Sequence, residues 1–125
     1  MALDQFEVVT LFVPDFDAAL AFYRSVFSVE QIYGDAHSAV LDFSGTKINL
    51  LAQSEAPELI EPLRASDKGV RMLMTIKVED VRAELERLIA LGVPIVNGPI
   101  DRPWGRRTVS FTDPAGHLWE LAQEI

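Results

Sequence analysis

The chain has no cysteine and only two histidines, His37 and His117, among its 125 residues. The first absence excludes disulfides, thiolate metal sites and cysteine nucleophiles. Positive charge is also scarce: 11 Lys and Arg stand against 19 Asp and Glu, for a net charge of −8. The only basic cluster is Arg102 with Arg106 and Arg107. Nucleic acids and anionic membranes need denser positive patches, so neither partner is expected. No apolar run approaches the ~18 residues of a membrane span, and MALDQFE carries acids where a signal peptide is basic. These features predict a cytoplasmic address. The sequence also lacks a Ser-His-Asp arrangement, a phosphate loop and a Gly-rich dinucleotide fingerprint.

What is present reads as an ordinary globular chain, 49% apolar and 24% charged. Phe6 to Val13, FEVVTLFV, is β-branched and aromatic and predicts a strand. Asp15 follows as a helix cap, with Ala18, Ala19, Phe22, Tyr23 and Val26 at helical spacing up to about Phe27. Three short extended runs come next, near Glu30 to Tyr33, Ser38 to Phe43 and Lys47 to Ala52. The first half is therefore βαβββ. Gln53 to Gly69 loses periodicity and predicts a connector with room for one short helix.

The pattern then restarts. Arg71 to Val78 predicts a strand, Glu79 or Asp80 a helix start, and Gly92 a left-handed helix end. Pro94 to Val96, Arg107 to Thr112 and Leu118 to Ala122 supply three more strands. Aligning Val8 to Asp15 with Leu73 to Asp80 matches strand to strand and cap to cap at an offset of 75 − 10 = 65 residues. The expected architecture is α+β: two tandem βαβββ modules forming a curved mixed sheet around a central cavity. Module 1 spans 1–56, a linker 57–69 and module 2 70–125, the whole making one domain of 1–125. Two copies are too few for a solenoid, so the modules should pair or exchange across a homodimer.

Side chains alternate along a strand, so Val9, Leu11 and Val13 share one face and Val8, Thr10 and Phe12 the other. Met74, Ile76 and Val78 separate likewise from Leu73, Thr75 and Lys77. The aliphatic set belongs beneath the helix in each copy. The mixed set is left to line something wetter, joined by Asn49 and Leu51 from the fourth strand and Leu118, Glu120 and Ala122 from the eighth.

The stretches VVTLFVPDFDAALAFYRSVFSV, KINLLA, MTIKVEDVRAELERLIALGV and WGRRTVSFTDPAGHLWEL together resemble the vicinal oxygen chelate superfamily. That superfamily includes glyoxalase, extradiol dioxygenases, fosfomycin-resistance enzymes and the bleomycin- and mitomycin-binding proteins. The resemblance implies metal-ligand positions on the first, fourth, fifth and eighth strands, which here hold Val8, Asn49, Leu73 and Glu120. Two hydrocarbons, an amide and a single carboxylate are too poor a set for a divalent ion. No metal and no cofactor are therefore expected. The run Pro103-Trp104-Gly105-Arg106-Arg107 is similar to a W-G-x-R stretch of the drug-binding members, where aromatic rings stack on a planar drug.

These readings predict metal-independent binding of a small organic molecule, an antibiotic or an aromatic metabolite, in the cavity between the sheets. Phe12, Leu51, Leu73 and Leu118 would form the apolar wall, and Thr10, Asn49, Thr75 and Glu120 would orient the guest. Trp104 would stack on it and Arg107 would clamp a carboxylate, unless Trp104 simply packs a sheet edge and Arg107 pairs with Asp101 or Asp113. The alternative is a glyoxalase-like lyase or isomerase with Glu120 as general base. Glu120 would then be the catalytic residue. Trp119, out of phase with Glu120, is expected in the core beneath the second helix, and Phe22 and Tyr23 in the buried stripe of the first.

Overall fold

The structure is a computed structural model that describes residues 3–66 and 68–125. The chain divides into two compact units, Met1–Asp67 and Lys68–Ile125. In the first, β1 (Val9–Val13) leads into α1 (Phe16–Val26), followed by β2 (Glu30–Gly34), β3 (Ser38–Phe43) and β4 (Thr46–Ala52). A 3-10 turn at Gln53–Glu55 and a short helix α2 (Ala56–Ile60) complete the unit. In the second, β5 (Leu73–Lys77) leads into α3 (Val81–Ala90), then β6 (Ile95–Arg102), β7 (Arg106–Thr112) and β8 (Leu118–Glu124). Each unit is thus βαβββ, an α+β pattern in tandem, as the restarted periodicity predicts.

Both sheets use one topology: the order is β1-β4-β3-β2 in the first and β5-β8-β7-β6 in the second. The first strand of each pairs in parallel with the last, and the remaining pairs are antiparallel. The helices explain that parallel pair, because a strand can return parallel to its neighbour only after a crossover.

The two helices start by the same device. Asp15 accepts a hydrogen bond from the Ala18 amide at 3.1 Å, and Asp80 accepts from the Arg82 and Ala83 amides at 3.1 Å. Each aspartate satisfies amide donors that the first helical turn leaves without a partner. The caps lie 80 − 15 = 65 residues apart, the offset of the duplication. At the end of α3, Gly92 takes a φ of +77°, and Val93 donates back to the Leu88 carbonyl at 3.0 Å.

Each helix covers one face of its own sheet. In the first unit Leu11, Val13, Ala39, Leu41, Ile48 and Leu50 are buried, together with Ala19, Tyr23 and Val26 of α1. Tyr23 stacks on Phe27, and Phe27 meets Phe43 edge-on, which closes the lower end of this core. In the second unit the buried set is Val81 and Leu88 of α3 with Val109, Phe111, Trp119 and Leu121. Trp119 is the core residue that its strand phase predicts.

Several element bounds differ from the sequence reading, among them those of β1, β5, β6 and β8, the last running to Glu124. β1 begins at Val9 rather than Phe6, and Phe6 is 94% exposed. β5 is likewise shorter, Leu73–Lys77. β6 runs to Arg102 instead of ending at Val96. Gly98 and Pro99 look like strand breakers, yet the strand absorbs them as irregularities: its register against β7 shifts between Ile95 and Asn97 and again between Asn97 and Ile100.

Candidate functional site

Alternation along the strands leaves each sheet with a face away from its helix, and the proposed ligand-binding residues of the strands lie there. In the first sheet Thr10 sits in register with Asn49, and Phe12 with Leu51. Thr10, Phe12 and Asn49 are half-buried and Leu51 is buried. The Asn49 Oδ1 atom is buried and accepts no hydrogen bond. Such an acceptor is ordinarily met by an ordered water or by another polar group.

The connector folds over one end of this face. Leu51, with Asp35, His37, Ser38, Glu55, Glu58 and Leu59, lines a cleft of about 330 Å³. The Asp35 carboxylate there is committed to its own turn: it accepts from the His37 and Ser38 amides at 2.8 and 2.9 Å and from the Ser38 hydroxyl at 3.1 Å. The His37 amide bond is the first of several that hold its carboxyl below the usual aspartate range. His37 Nε2 lies 3.6 Å from Glu55 Oε1 at the surface. A larger cleft of about 710 Å³ is lined by connector residues between Gln53 and Ala65, none of which is a proposed site residue.

The corresponding face of the second sheet carries a polar row. Thr75 is in register with Glu120, Glu120 with Ser110, and Ser110 with Asn97. The Thr75 hydroxyl donates to Glu120 Oε1 at 3.1 Å. Glu120 is half-buried, and no cation lies within ion-pair distance of it among the described residues. Leu118 and Leu73, in register with each other, flank the row on one side, and Ala122 and Lys77 on the other. The same 65-residue offset relates Thr10 to Thr75, and each threonine faces a polar partner across a parallel pair, Asn49 in one unit and Glu120 in the other.

Ser110 and Asn97 were missing from the sequence reading. Ser110 could have been found, since it shares phase with Thr108 and Thr112 in a run predicted as a strand. Asn97 could not, because the strand was expected to end one residue earlier.

Two proposed ligand contacts lie elsewhere. Arg107 shares phase with Val109 and Phe111, on the face that turns toward α3. Its guanidinium donates twice to Asp101, at 2.6 and 3.2 Å. This is the plainer of the two roles open to it. The hydrogen bond from Arg107 holds the Asp101 carboxyl below its ordinary range, and the bond to Asp101 raises the guanidinium. Any stability the pair contributes is present above the ordinary aspartate value and is lost as pH falls through the lowered one. Asp101→Asn should therefore melt slightly below wild type at neutral pH, and the gap should close as pH drops through that lowered value in a thermal-melt series. A gap that widened in acid would contradict this.

Trp104 is 69% exposed in the tight turn between β6 and β7, closed by a Gly105 amide bond to the Arg102 carbonyl at 3.1 Å. Ser110, the partner of Glu120, lies four residue steps along β7 from Arg106, at that end. At ~3.3 Å per strand residue that is roughly 13 Å, so Trp104 stands beyond the polar row rather than against it.

The turn between β7 and β8 is held by a buried pair. Asp113 Oδ1 accepts from the Ala115 and His117 amides at 2.9 and 2.8 Å, while Oδ2 lies 2.9 Å from His117 Nδ1. His117 is 5% exposed and is committed to this turn, one residue before β8 begins.

The four positions at which the superfamily places metal donors can now be tested on their chemistry. Val8 is 40% and Leu73 51% exposed, both hydrocarbon. Asn49 contributes a neutral amide from the first unit and Glu120 a carboxylate from the second. Among the described residues no group of three or more His, Asp or Glu could hold a metal ion. The donors present do not fit the divalent site of metal-dependent members.

A repeated βαβββ unit with a parallel first-to-last strand pair defines a class of small α+β proteins in which each sheet keeps one face free of its helix. The chain belongs to the Glyoxalase/Bleomycin resistance protein/Dioxygenase superfamily, whose sequence profile matches residues 5–121. It is 28% identical over 109 residues to the metallothiol transferase FosB of Bacillus licheniformis, covering 87% of this chain and 68% of that one. A glyoxalase-related enzyme from Fulvimarina pelagi matches the fold with a TM-score of 0.85 at 22% identity, over 98% of this chain and 89% of the other. The fosfomycin resistance protein FosX of Listeria monocytogenes matches with a TM-score of 0.75 at 23% identity, over 99% and 96% of the two chains. No helix among the described residues is long and apolar enough to cross a membrane.

Proposed function

We propose that this chain binds a small organic molecule, without a metal, on the helix-free faces of its sheets. The observation that carries this reading is the donor set: the family's metal positions hold Val8, Asn49, Leu73 and Glu120, and two of these have no lone pair to give. What remains is a set of contacts suited to a ligand, with Phe12, Leu51, Leu73 and Leu118 as apolar surface and Thr10, Asn49, Thr75 and Glu120 as polar contacts. The Asn49 Oδ1 atom, buried without a donor, supports a guest that donates a hydrogen bond. The relatives named for fosfomycin resistance support an antibiotic as one class of guest. A homodimer fits the exposed apolar side chains Leu3, Phe6, Leu59, Leu63 and Val70.

Native mass spectrometry of freshly purified protein tests all parts together. The expected result is a dimer that retains a small molecule and carries no stoichiometric metal. Alanine at Glu120 should then weaken that molecule about tenfold, the equivalent of ~1.4 kcal/mol. One tightly held divalent ion per chain, or an unchanged affinity in the alanine variant, would overturn the reading.

A lyase or isomerase reading is favoured by one feature: the single Thr75 bond leaves Glu120 Oε2 open to take a proton next to a carbonyl. Turnover of a hemithioacetal by wild type and its loss in Glu120→Gln would establish it.

A further inference from the structure

We infer that the Arg102–Arg106 end of the second sheet's helix-free face binds the oxyanion group of a small organic acid, a carboxylate or a phosphate ester. This rests on the binding reading above and adds the charge of the group that a ligand presents at this end of the face.

Strand alternation divides the basic cluster of the sequence. Arg107 turns to the α3 side and is bound to Asp101. Arg102, the last residue of β6, and Arg106, the first of β7, stay directly opposite one another across the β6–β7 pair. Opposite residues of an antiparallel pair stand with Cβ atoms about 4.5–5.5 Å apart, and like charges so placed repel. An anion bound beside both removes that repulsion. The row itself supplies one acid, Glu124, in register with Arg106 on its other side. That carboxylate lies 3.1 Å from Lys77 Nζ but 3.9 Å from Arg106 Nη2, the second distance being too long for a hydrogen bond. Its carboxyl is lowered first by the hydrogen bond from Lys77, then by the charges of Lys77 and Arg106. Glu124 is thus committed to Lys77.

Arg102 has no acid within ion-pair distance among the described residues. Its Nε donates to the Thr108 hydroxyl at 3.0 Å, and Thr108 is 1% exposed. That bond holds the guanidinium in place and leaves its two Nη groups for another partner. A guanidinium fixed in this way presents a planar fork that matches two oxygens of a carboxylate or phosphate. Both arginines are half-buried, which protects their charge from screening. Lys77, Arg102 and Arg106 against the single Glu124 leave positive charge in excess here, in a chain of net charge −8. Glu120 does not cancel it: four strand steps from Glu124 is roughly 13 Å, beyond a Debye length in physiological salt. Trp104, exposed in the turn two residues from each arginine, offers an aromatic surface beside the pair, so the acid would carry an aromatic frame.

Matched probes isolate the charge. Phenyl phosphate, benzoate, benzyl alcohol and benzylamine share one ring and differ in its polar end, and inorganic phosphate is the bare anion. A nuclear magnetic resonance titration of the full chain at neutral pH and low salt would follow the Nε–Hε signals of Arg102 and Arg106. Both acids should bind at least about tenfold tighter than the alcohol or the amine, and phenyl phosphate tighter than inorganic phosphate. Their affinity should fall about tenfold in Arg102→Gln and in Arg106→Gln, yet stay within about twofold in Arg87→Gln, which removes a cation from α3. Arg106→Gln, at a strand end, keeps the test open should loss of the Arg102 bond to Thr108 prevent folding. Alcohol or amine binding as tightly as the acids, unchanged affinity in the Arg102 and Arg106 variants, or silence from every acid would overturn the oxyanion inference. Equal affinity for phenyl and inorganic phosphate would overturn the aromatic frame. The receptor reading would survive each of these results, because it falls only with the mass-spectrometric one.

Discussion

Replacing Phe111 with alanine is expected to lower folding stability by about 3–5 kcal/mol, the usual cost of emptying a buried aromatic site. Phe111 is fully buried on β7, an interior strand of the second sheet, in register with Trp119 on β8 and Ile95 on β6. Neighbours held by ladder hydrogen bonds on both sides cannot collapse into the space, so a cavity persists. Urea melts of wild type and Phe111→Ala would measure the loss, with Phe111→Leu as a milder control expected to cost under about half as much. A change within ~1 kcal/mol would mean that Phe111 is not the packed centre of this unit. The effect should reach the helix-free face too, because Ser110, the next residue, is the register partner of Glu120 on the other side of the sheet.

The second large effect is expected at Gly98. It adopts a φ of +103°, where a side chain is strained, and a Cβ there would be driven onto the Thr108 carbonyl oxygen and within 2.8 Å of Val109 Cα. Both obstacles are backbone of an interior strand and cannot turn aside. Gly98→Ala should therefore cost about 2–4 kcal/mol, combining strain with displacement of β6. Gly45 provides the comparison, with a similar φ of +101° and open space around it. Gly45→Ala should cost only about 1 kcal/mol. Equal losses at the two positions would show that conformational strain alone operates and that the close approach to β7 does not matter.

Much of the fold is legible from local chemistry. Asp15 and Asp80 are short acceptors just ahead of periodic apolar runs, and both cap helices. Val9, Leu11 and Val13 alternate with Thr10 and Phe12, and the aliphatic phase lies beneath α1. The phase that pairs Thr75 with Glu120 is likewise written in the alternation of two strands, and the structure joins them by a hydrogen bond.

Other features depend on partners distant in sequence. Trp104 and Arg107 were expected as ligand contacts because Pro103-Trp104-Gly105-Arg106-Arg107 is similar to a W-G-x-R stretch of drug-binding members. Yet alternation turns Arg107 to the opposite face, where Asp101 is waiting, and the hairpin carries Trp104 past the end of the polar row. The length of β6 was hidden because Gly98 and Pro99 break strands in isolation and are accommodated only when β7 supplies an irregular register.

What the sequence alone determined are properties set by neighbours along the chain: the duplicated βαβββ order, the helix caps, and the inward and outward phases. Tertiary structure decided which charges neutralise one another, because ion pairs form between residues brought together by strand register rather than by sequence. That is why Arg107 could be assigned to Asp101, and Lys77 and Arg106 to Glu124, only once the strands had been paired.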